Sequence, residues 1–213
     1  MSRGISVNDV GTAVIDGINN AFSQYMKWAN RWLDHAPEYF VTCKIAERLA
    51  KVAGTNSITL EAPIAETLGE ARAQGPGRSH SKLPRSGRFD IILWNPPRGV
   101  KQSPRVIIEV KHPIYLNVKN QLKDVERICR ALNKGGNRNT VKFGVLAFYS
   151  ASETPKMKHR NASIRLRSRL EPIENSIRSI AKTQACKSSL KKGRVHKRDD
   201  EAWAGCCAIL SRK

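Results

Sequence analysis

The sequence predicts an α/β fold in which a mixed central sheet is flanked by helices. Apolar residues recur at helical spacing in four segments, and they alternate or run continuously in five shorter ones. The two kinds of segment are interspersed along the chain, which is typical of a sheet covered by helices. With 213 residues, of which 40% are hydrophobic and 26% charged, the chain is long enough to bury a core.

Two helices and a strand are predicted in the first third of the chain. Apolar residues near helical spacing predict a helix over residues 7–33. A second helix begins at Pro37, a residue that suits a first helical turn, and ends at Gly54. Apolar and polar residues then alternate over residues 57–64, which predicts a strand.

Two further strands are predicted on either side of a proline-rich turn. Residues 88–94 form the first, with Phe89, Ile91 and Leu93 on one face. Residues 104–111 form the second, and their mostly apolar composition suits a central strand. The short connection predicts that the two strands pair as a hairpin.

The second half of the chain adds two helices and two strands. Residues 118–134 carry an apolar stripe at helical spacing and are followed by two glycines, which predicts a helix and its end. The nearly continuous apolar run over residues 141–149 predicts a strand buried on both faces. Helical spacing returns over residues 162–185, and residues 203–210 are predicted as a short last strand.

This pattern divides the chain into three parts. Residues 1–36 form an N-terminal helical segment, and residues 37–150 hold the element order α-β-β-β-α-β. Residues 151–213 form an extension, with a helix and the last strand, that is expected to pack on the core. The extension is basic, because residues 155–198 contain 14 Lys and Arg residues but two Glu residues.

The charge of the chain is its most unusual property. Lys and Arg outnumber Asp and Glu by 38 to 18, which gives a net charge of +20 and a pI near 10.2. This excess indicates a polyanionic partner, either nucleic acid or an acidic membrane surface. The basic residues are spread over loops and tail rather than along one amphipathic helix, which counts against a membrane. The residues expected to contact phosphates lie in a long loop, residues 69–88, and on the helix over residues 118–134: Arg72, Arg78, Lys82, Arg85, Arg88, Lys119, Lys123 and Arg127.

Other classes of protein are disfavoured by what the sequence lacks. No apolar run reaches the roughly 18 residues of a membrane-spanning helix, and the first residues lack the core of a signal peptide. The five cysteines are odd in number and show no CxxC spacing, which fits a reduced intracellular protein. We therefore expect a cytoplasmic protein.

Three residues carry the candidate chemistry: Asp90, Glu109 and Lys111. Glu109 and Lys111 lie two residues apart on one strand, so their side chains leave the same face. The predicted hairpin brings Asp90 beside Glu109, and a hard cation such as Mg²⁺ relieves the repulsion between two ionised carboxylates. A lysine at such a site orients a water or stabilises charge on a phosphate. The alternative is a cross-strand ion pair on a solvated sheet face, worth about 0–1 kcal/mol.

These residues and the order of elements resemble the PD-(D/E)XK nuclease superfamily, which has the restriction-endonuclease-like fold. Its signature is an Asp on the second strand of an αβββαβ core, followed by Glu-x-Lys on the third. Asp90 and Glu109-Val110-Lys111 fill these places, with 18 residues between Asp90 and Glu109. The resemblance covers roughly residues 37–150, between an extra N-terminal helix and the basic C-terminal extension.

The resemblance implies a metal site and a role for each residue. Asp90 and Glu109 would bind Mg²⁺, for which Mn²⁺ would substitute, and the backbone carbonyl of Val110 would be a further ligand. Lys111 would position the attacking water.

Many members of the superfamily add a glutamate from the first core helix. Glu47 stands at that place here, and Glu61 on the first strand is its rival, a choice that the sequence leaves open. The implied activity is Mg²⁺-dependent hydrolysis of phosphodiester bonds within DNA, with RNA as the alternative substrate. Cutting both strands would favour a twofold homodimer. Two different functions also fit the charge: a module that binds nucleic acid without cutting it, and a structural protein of a ribonucleoprotein or packaged genome.

Overall fold

A computed structural model gives the architecture of the chain. It describes residues 4–55, 57–73, 87–95, 102–111, 113–114, 119–152, 161–198 and 200–213. Within these ranges seven strands form one mixed sheet, and helices cover both of its faces. The predicted α/β class is therefore confirmed.

The helices lie close to where the sequence predicts them, with one addition. They are α1 (Val7–Ala29), α2 (Glu38–Leu49), α3 (Ile64–Glu70), α4 (Lys119–Asn133) and α5 (Ala162–Thr183). Helix α3 is the addition, and its last residues occupy the start of the predicted 69–88 loop. In the described part of the chain, no helix combines the length and apolar character that spanning a membrane requires.

The strands run in the order β1-β2-β3-β4-β7-β5, with β6 paired to β7. Their bounds are β1 (Ser57–Pro63), β2 (Arg88–Trp94), β3 (Pro104–Lys111), β4 (Phe143–Ser152), β5 (Cys186–Lys192), β6 (His196–Arg198) and β7 (Glu201–Arg212). Strands β1 to β3 form an antiparallel meander, whereas β4 is parallel to β3 and is reached through α4. A parallel neighbour needs a crossover of this kind.

The sheet separates two apolar clusters, and β3 contributes to both. Val106, Ile108 and Val110 pack on one face with helices α1 and α2, while Ile107 packs on the other face with α4 and α5. Strand β4 is buried at every position, as its continuous apolar run predicts. The site strand β3 is therefore central and shielded from water on both faces.

The C-terminal part of the chain joins the sheet rather than lying on it. Strand β7 pairs with β4 along its length, and β5 and β6 pair with β7. Strands β5 and β6 have no counterpart in the prediction, because lysines, serines and an arginine interrupt any apolar alternation. Helix α1 packs on β4 and β7, so the N-terminal and C-terminal segments share one core.

The prediction that Phe89, Ile91 and Leu93 share one face is wrong for Phe89. Phe89 packs in the cluster under α4 and α5, whereas Ile91 and Leu93 pack in the cluster under α1 and α2. Pairing with β1 is interrupted between these residues, opposite Glu61, whose φ of 52° is left-handed. The side chains of β2 therefore switch from one face of the sheet to the other between Phe89 and Ile91.

Candidate active site

The two strands that carry the candidate acids stop pairing at Asp90. The ladder between β2 and β3 runs as far as the pair Ile91–Ile108. One residue further on, Oδ2 of Asp90 accepts a hydrogen bond of 2.6 Å from the backbone N–H of Val110. A side-chain carboxylate thus takes the place of a ladder carbonyl at the end of β3.

Strand β1 is irregular at the same level of the sheet. The pairs Leu60–Ile91 and Ala62–Phe89 are formed, and Glu61 lies between them with a φ of 52°. A left-handed conformation costs a residue other than glycine roughly 1–2 kcal/mol. Such strain concentrates at functional sites, and here it lies directly beside Asp90 in the sheet.

Glu109 is fully buried and is paired with an arginine from α4. Nε of Arg127 donates a hydrogen bond of 2.8 Å to Oε1 of Glu109, and Nη2 lies 2.7 Å from Oε2. The second contact lies outside hydrogen-bond geometry, so Oε2 is a buried oxygen without a hydrogen bond. Burial, and then the nearby Asp90, raise the pKa of Glu109 well above its usual value, against the lowering effect of Arg127.

Helix α4 also contributes a third acid to the site, Asp124, which joins the arginine to the lysine. Asp124 and Arg127 are three residues apart on the helix, and Oδ1 of Asp124 lies 2.7 Å from Nη2 of Arg127. Oδ2 of Asp124 lies 3.7 Å from Nζ of Lys111. Burial raises the pKa of Asp124, and the two cations only partly offset that effect.

Lys111 is held between two helices at the end of β3. Its Nζ donates a hydrogen bond of 3.3 Å to Oε1 of Glu38, in the first turn of α2, and faces Asp124 on the other side. Burial lowers the pKa of Lys111, but Asp124 and Glu38 outweigh it, and the net shift is upward. The amine is therefore protonated at neutral pH and acts as a cation.

The structure gives the two rival glutamates different surroundings. Glu47 is exposed and forms an ion pair of 2.7 Å with Lys44 on its own helix. Glu38 is the α2 carboxylate that reaches Lys111, and it lies nine positions before Glu47, roughly 13 Å along a helix axis. Glu61 lies near Tyr39, because it adds to the upward shift of the pKa of that tyrosine. The main cause of the shift is the Cys43 thiol.

The predicted phosphate contacts are only partly described. Arg72, Arg88 and Lys123 are exposed on the surface. Arg127 differs from them, because its guanidinium is ion-paired with Glu109 and Asp124. Three other members of the predicted set lie outside the described residues: Arg78, Lys82 and Arg85. The side chain of Lys119 is not described either.

Sequence reasoning missed Glu38 and Asp124 and gave Arg127 a different role. A signal for the helix pair existed, because Asp124 and Arg127 stand one turn apart on the first helix after the Glu-x-Lys strand. Glu38 has no comparable signal, since its approach to Lys111 depends on how α2 packs against β3.

The donor chemistry suits a hard divalent cation. Asp90 and Glu109 offer carboxylate oxygens, and Mg²⁺ in proteins typically binds one or two carboxylates while it keeps several waters. No group of three or more His, Cys, Asp or Glu side chains in the described ranges is arranged to hold a metal ion. Asp90 and Glu109 are the candidate acidic ligands, and Glu109 is also paired with Arg127.

No family model, curated protein or solved structure matches this chain.

Proposed function

We propose that this protein is a divalent-metal-dependent endonuclease, with a restriction-endonuclease-like core, that hydrolyses phosphodiester bonds in DNA. The observation that carries the proposal is the convergence of Asp90, Glu109 and Lys111 where β2 and β3 stop pairing. Asp90 raises the pKa of Glu109, and Asp90 and Glu109 both raise the pKa of Lys111, so the three side chains are close enough to interact electrostatically.

The topology around the site supports the same assignment. Helix α2, the meander β1–β3, helix α4 and the parallel strand β4 follow in the order αβββαβ, with the short α3 inserted after β1. The acids lie on the second and third of these strands, as the resemblance to the PD-(D/E)XK nucleases implies.

Asp90 and Glu109 would hold the metal ion. When bound, Mg²⁺ would supply Lewis-acid polarisation of the phosphate and lower the pKa of a coordinated water. Oε2 of Glu109 lies 2.7 Å from Nη2 of Arg127 without hydrogen-bond geometry, and it is the oxygen that the proposal assigns to the metal ion. The proposal also includes the carbonyl of Val110 as a ligand. The N–H of the same residue donates its hydrogen bond to Asp90, so the backbone of Val110 lies beside this acid.

The cations of the site have separable roles. Lys111 is protonated, so it would orient the attacking water by donating hydrogen bonds and would offset charge on the phosphate. Glu38 and Asp124 hold its amine from two sides. Arg127, whose side chain is 24% exposed, would contact a phosphate oxygen.

The distribution of charge supports a nucleic-acid substrate. Residues 1–73 contain 7 basic and 8 acidic residues, so the other 140 residues carry the whole excess, 31 basic against 10 acidic. The strands that hold the site acids and all later elements lie in that basic part. DNA is proposed over RNA because most families that resemble this one act on DNA.

A second candidate function is a module that binds nucleic acid without cutting it. One observation favours it: Arg127 already neutralises Glu109, the place where a nuclease needs its metal. In that case Arg127 would be a permanent partner of the buried acid rather than one that shares it with a metal ion.

A cleavage assay separates the two candidates. Purified protein is incubated with supercoiled plasmid, single-stranded DNA and RNA in Mg²⁺, Mn²⁺ or EDTA, beside Lys111→Ala. Lys51→Ala is the matched control, because Lys51 is an exposed lysine after α2. The nuclease predicts metal-dependent cutting that Lys111→Ala abolishes and Lys51→Ala keeps. Salt-sensitive binding with no cutting in any metal would leave the binding module.

A further inference from the structure

A basic groove lies between the N-terminal half of α5 and the turn that joins β5 to β6. It has a volume of about 680 Å³, and its floor is made by Leu170, Val195 and Ala204. Four cations line it, and no acidic side chain of the described residues does: Arg167, Lys192, Arg194 and Lys197. We call this feature the α5 groove.

The turn after β5 is packed against α1 and β7, which sets the direction of two of these cations. The N–H of Gly193 donates a hydrogen bond of 2.8 Å to the carbonyl of Gly205. A Cβ at Gly193 would lie 2.7 Å from the Ile15 side chain and 2.9 Å from that carbonyl, so the backbone is pressed against β7 and α1. Lys192 and Arg194, on either side of the glycine, both line the groove on the opposite face.

Most cations of the groove are not used by the fold. Arg167, Arg194 and Lys197 are exposed and, in the part of the chain that the structure describes, form no ion pair. Lys192 is the exception, with Glu174 at 2.8 Å. Arg165, two residues from Arg167, shows the contrast, because it donates to the Asp200 carbonyl. Like charges that lie close together without acidic partners repel one another, and an anionic ligand would relieve that repulsion.

The α5 groove lies at the same level of the sheet as the proposed active site. Lys111 pairs with Phe148, Phe148 with Cys206, and Cys206 with Lys192. The two lysines are therefore the first and last residues of a row that crosses strands β3, β4, β7 and β5. Three strand spacings separate them, roughly 14 Å between backbones. Along one strand of duplex DNA this distance covers about four nucleotides at about 3.4 Å each.

We propose that the α5 groove binds the phosphate backbone of nucleic acid, about four nucleotides from the bond at Lys111. The spacing rests on the proposed nuclease function, whereas the binding itself does not. The apolar floor and Ile164 at the rim, which is 53% exposed, would pack against sugars, and the cations would contact phosphates.

The test measures binding without cleavage. Arg167→Gln/Arg194→Gln is compared with Lys27→Gln/Lys51→Gln, which removes the same charge from exposed positions of the helical α1–α2 side. Affinity for a 30-base-pair duplex is measured by fluorescence anisotropy in EDTA over a range of salt. The groove variant should bind at least tenfold more weakly, and its salt dependence should fall by about 1.8 for two lost phosphate contacts. The control should stay within twofold of the parent protein.

The same measurement is repeated with single-stranded DNA, RNA and phosphatidylserine vesicles. Three outcomes would overturn the proposal: equal loss of affinity in the two variants, no binding of duplex, single strand or RNA by the parent protein, or a loss of affinity that is confined to the vesicles. Circular dichroism and thermal unfolding verify that both variants are folded. The nuclease proposal fails separately. If the parent protein never cuts but the groove variant binds weakly, the groove proposal is supported and the nuclease proposal is wrong. If the parent protein cuts but the two variants bind alike, the nuclease proposal is supported and the groove proposal is wrong.

Discussion

The carboxylate of Asp90 accepts a hydrogen bond of 2.6 Å from the backbone N–H of Val110, the residue between Glu109 and Lys111. This single contact ties β2 to the functional end of β3 beyond their last paired residues. Because Val110 is flanked by the other two site residues, its orientation fixes theirs. Asp90 therefore has a structural role as well as its proposed role as a metal ligand.

The two roles of Asp90 can be separated by two substitutions. Asp90→Asn keeps an oxygen acceptor for the Val110 N–H but loses the charge, so it should fold like the parent protein and cut at least a hundredfold more slowly. Asp90→Ala leaves that N–H without its acceptor, which costs about 1–3 kcal/mol. Urea unfolding and plasmid cleavage in Mg²⁺ measure the two effects. Cleavage by Asp90→Asn at the parental rate would exclude Asp90 as a metal ligand.

The accessory carboxylate can be assigned by comparing three glutamates. Glu38→Gln should slow cleavage about tenfold, because Glu38 is one of the two acids that hold the amine of Lys111. Glu47→Gln should change the rate less than twofold, because exposed Glu47 pairs with Lys44. Glu61→Gln tests the strained position beside Asp90. Initial cleavage rates in Mg²⁺ measure all three, and a larger loss for Glu47→Gln than for Glu38→Gln would restore Glu47 as the accessory ligand.

The ion pair between Glu109 and Arg127 should show strong energetic coupling. At a pH above the raised pKa of Glu109, Arg127→Met leaves a buried carboxylate without its cation and should lower the free energy of unfolding by about 3 kcal/mol. Glu109→Gln/Arg127→Met removes that uncompensated charge and should recover most of the loss. A double-mutant cycle from urea unfolding gives the coupling. Additive losses would mean that the two groups are not paired in solution.

Glu109 should make stability depend on pH in a defined direction. Its folded-state pKa is raised above the ordinary value of 4.5, so the fold favours the protonated acid. The contribution of the protonated acid to stability is complete below pH 4.5 and is lost as the pH rises through the raised value. The free energy of unfolding of the parent protein, minus that of Glu109→Gln, should therefore fall with rising pH in EDTA. A difference that rises with pH would contradict the burial of this acid.

The central part of the fold could be predicted because its periodicity is strong. The apolar alternation around Ile108 and the continuous run that contains Val145 place two neighbouring strands, and the short hairpin brings Asp90 to Glu109. Two residues of spacing also suffice to put Glu109 and Lys111 on one face, where both meet α4. These are local consequences of the strand period.

The rest depended on packing that the sequence pattern does not encode. Strand β5 is too polar to be recognised, because it is covered on one face by α5 while Lys191 meets α1 on the other. The left-handed Glu61 breaks the alternation that placed Phe89 with Ile91. Glu38 reaches Lys111 across two elements that are distant in the chain. Each of these features depends on tertiary structure, and local propensity does not determine it.

The burial of the cysteines gives a prediction that tests the whole fold. Cys129, Cys186, Cys206 and Cys207 are buried, whereas Cys43 on α2 is partly exposed. Burial raises the pKa of Cys206 to about 12, and that of Cys207 to about 12, so their thiolates are rare at pH 8. A short pulse of iodoacetamide at pH 8 should therefore label one thiol in the native protein and five in urea, as counted by mass spectrometry. The Cys43→Ser variant is the control, and it should label none in the native state. Rapid labelling of Cys206 or Cys207 would mean that β7 is not a central strand between β4 and β5.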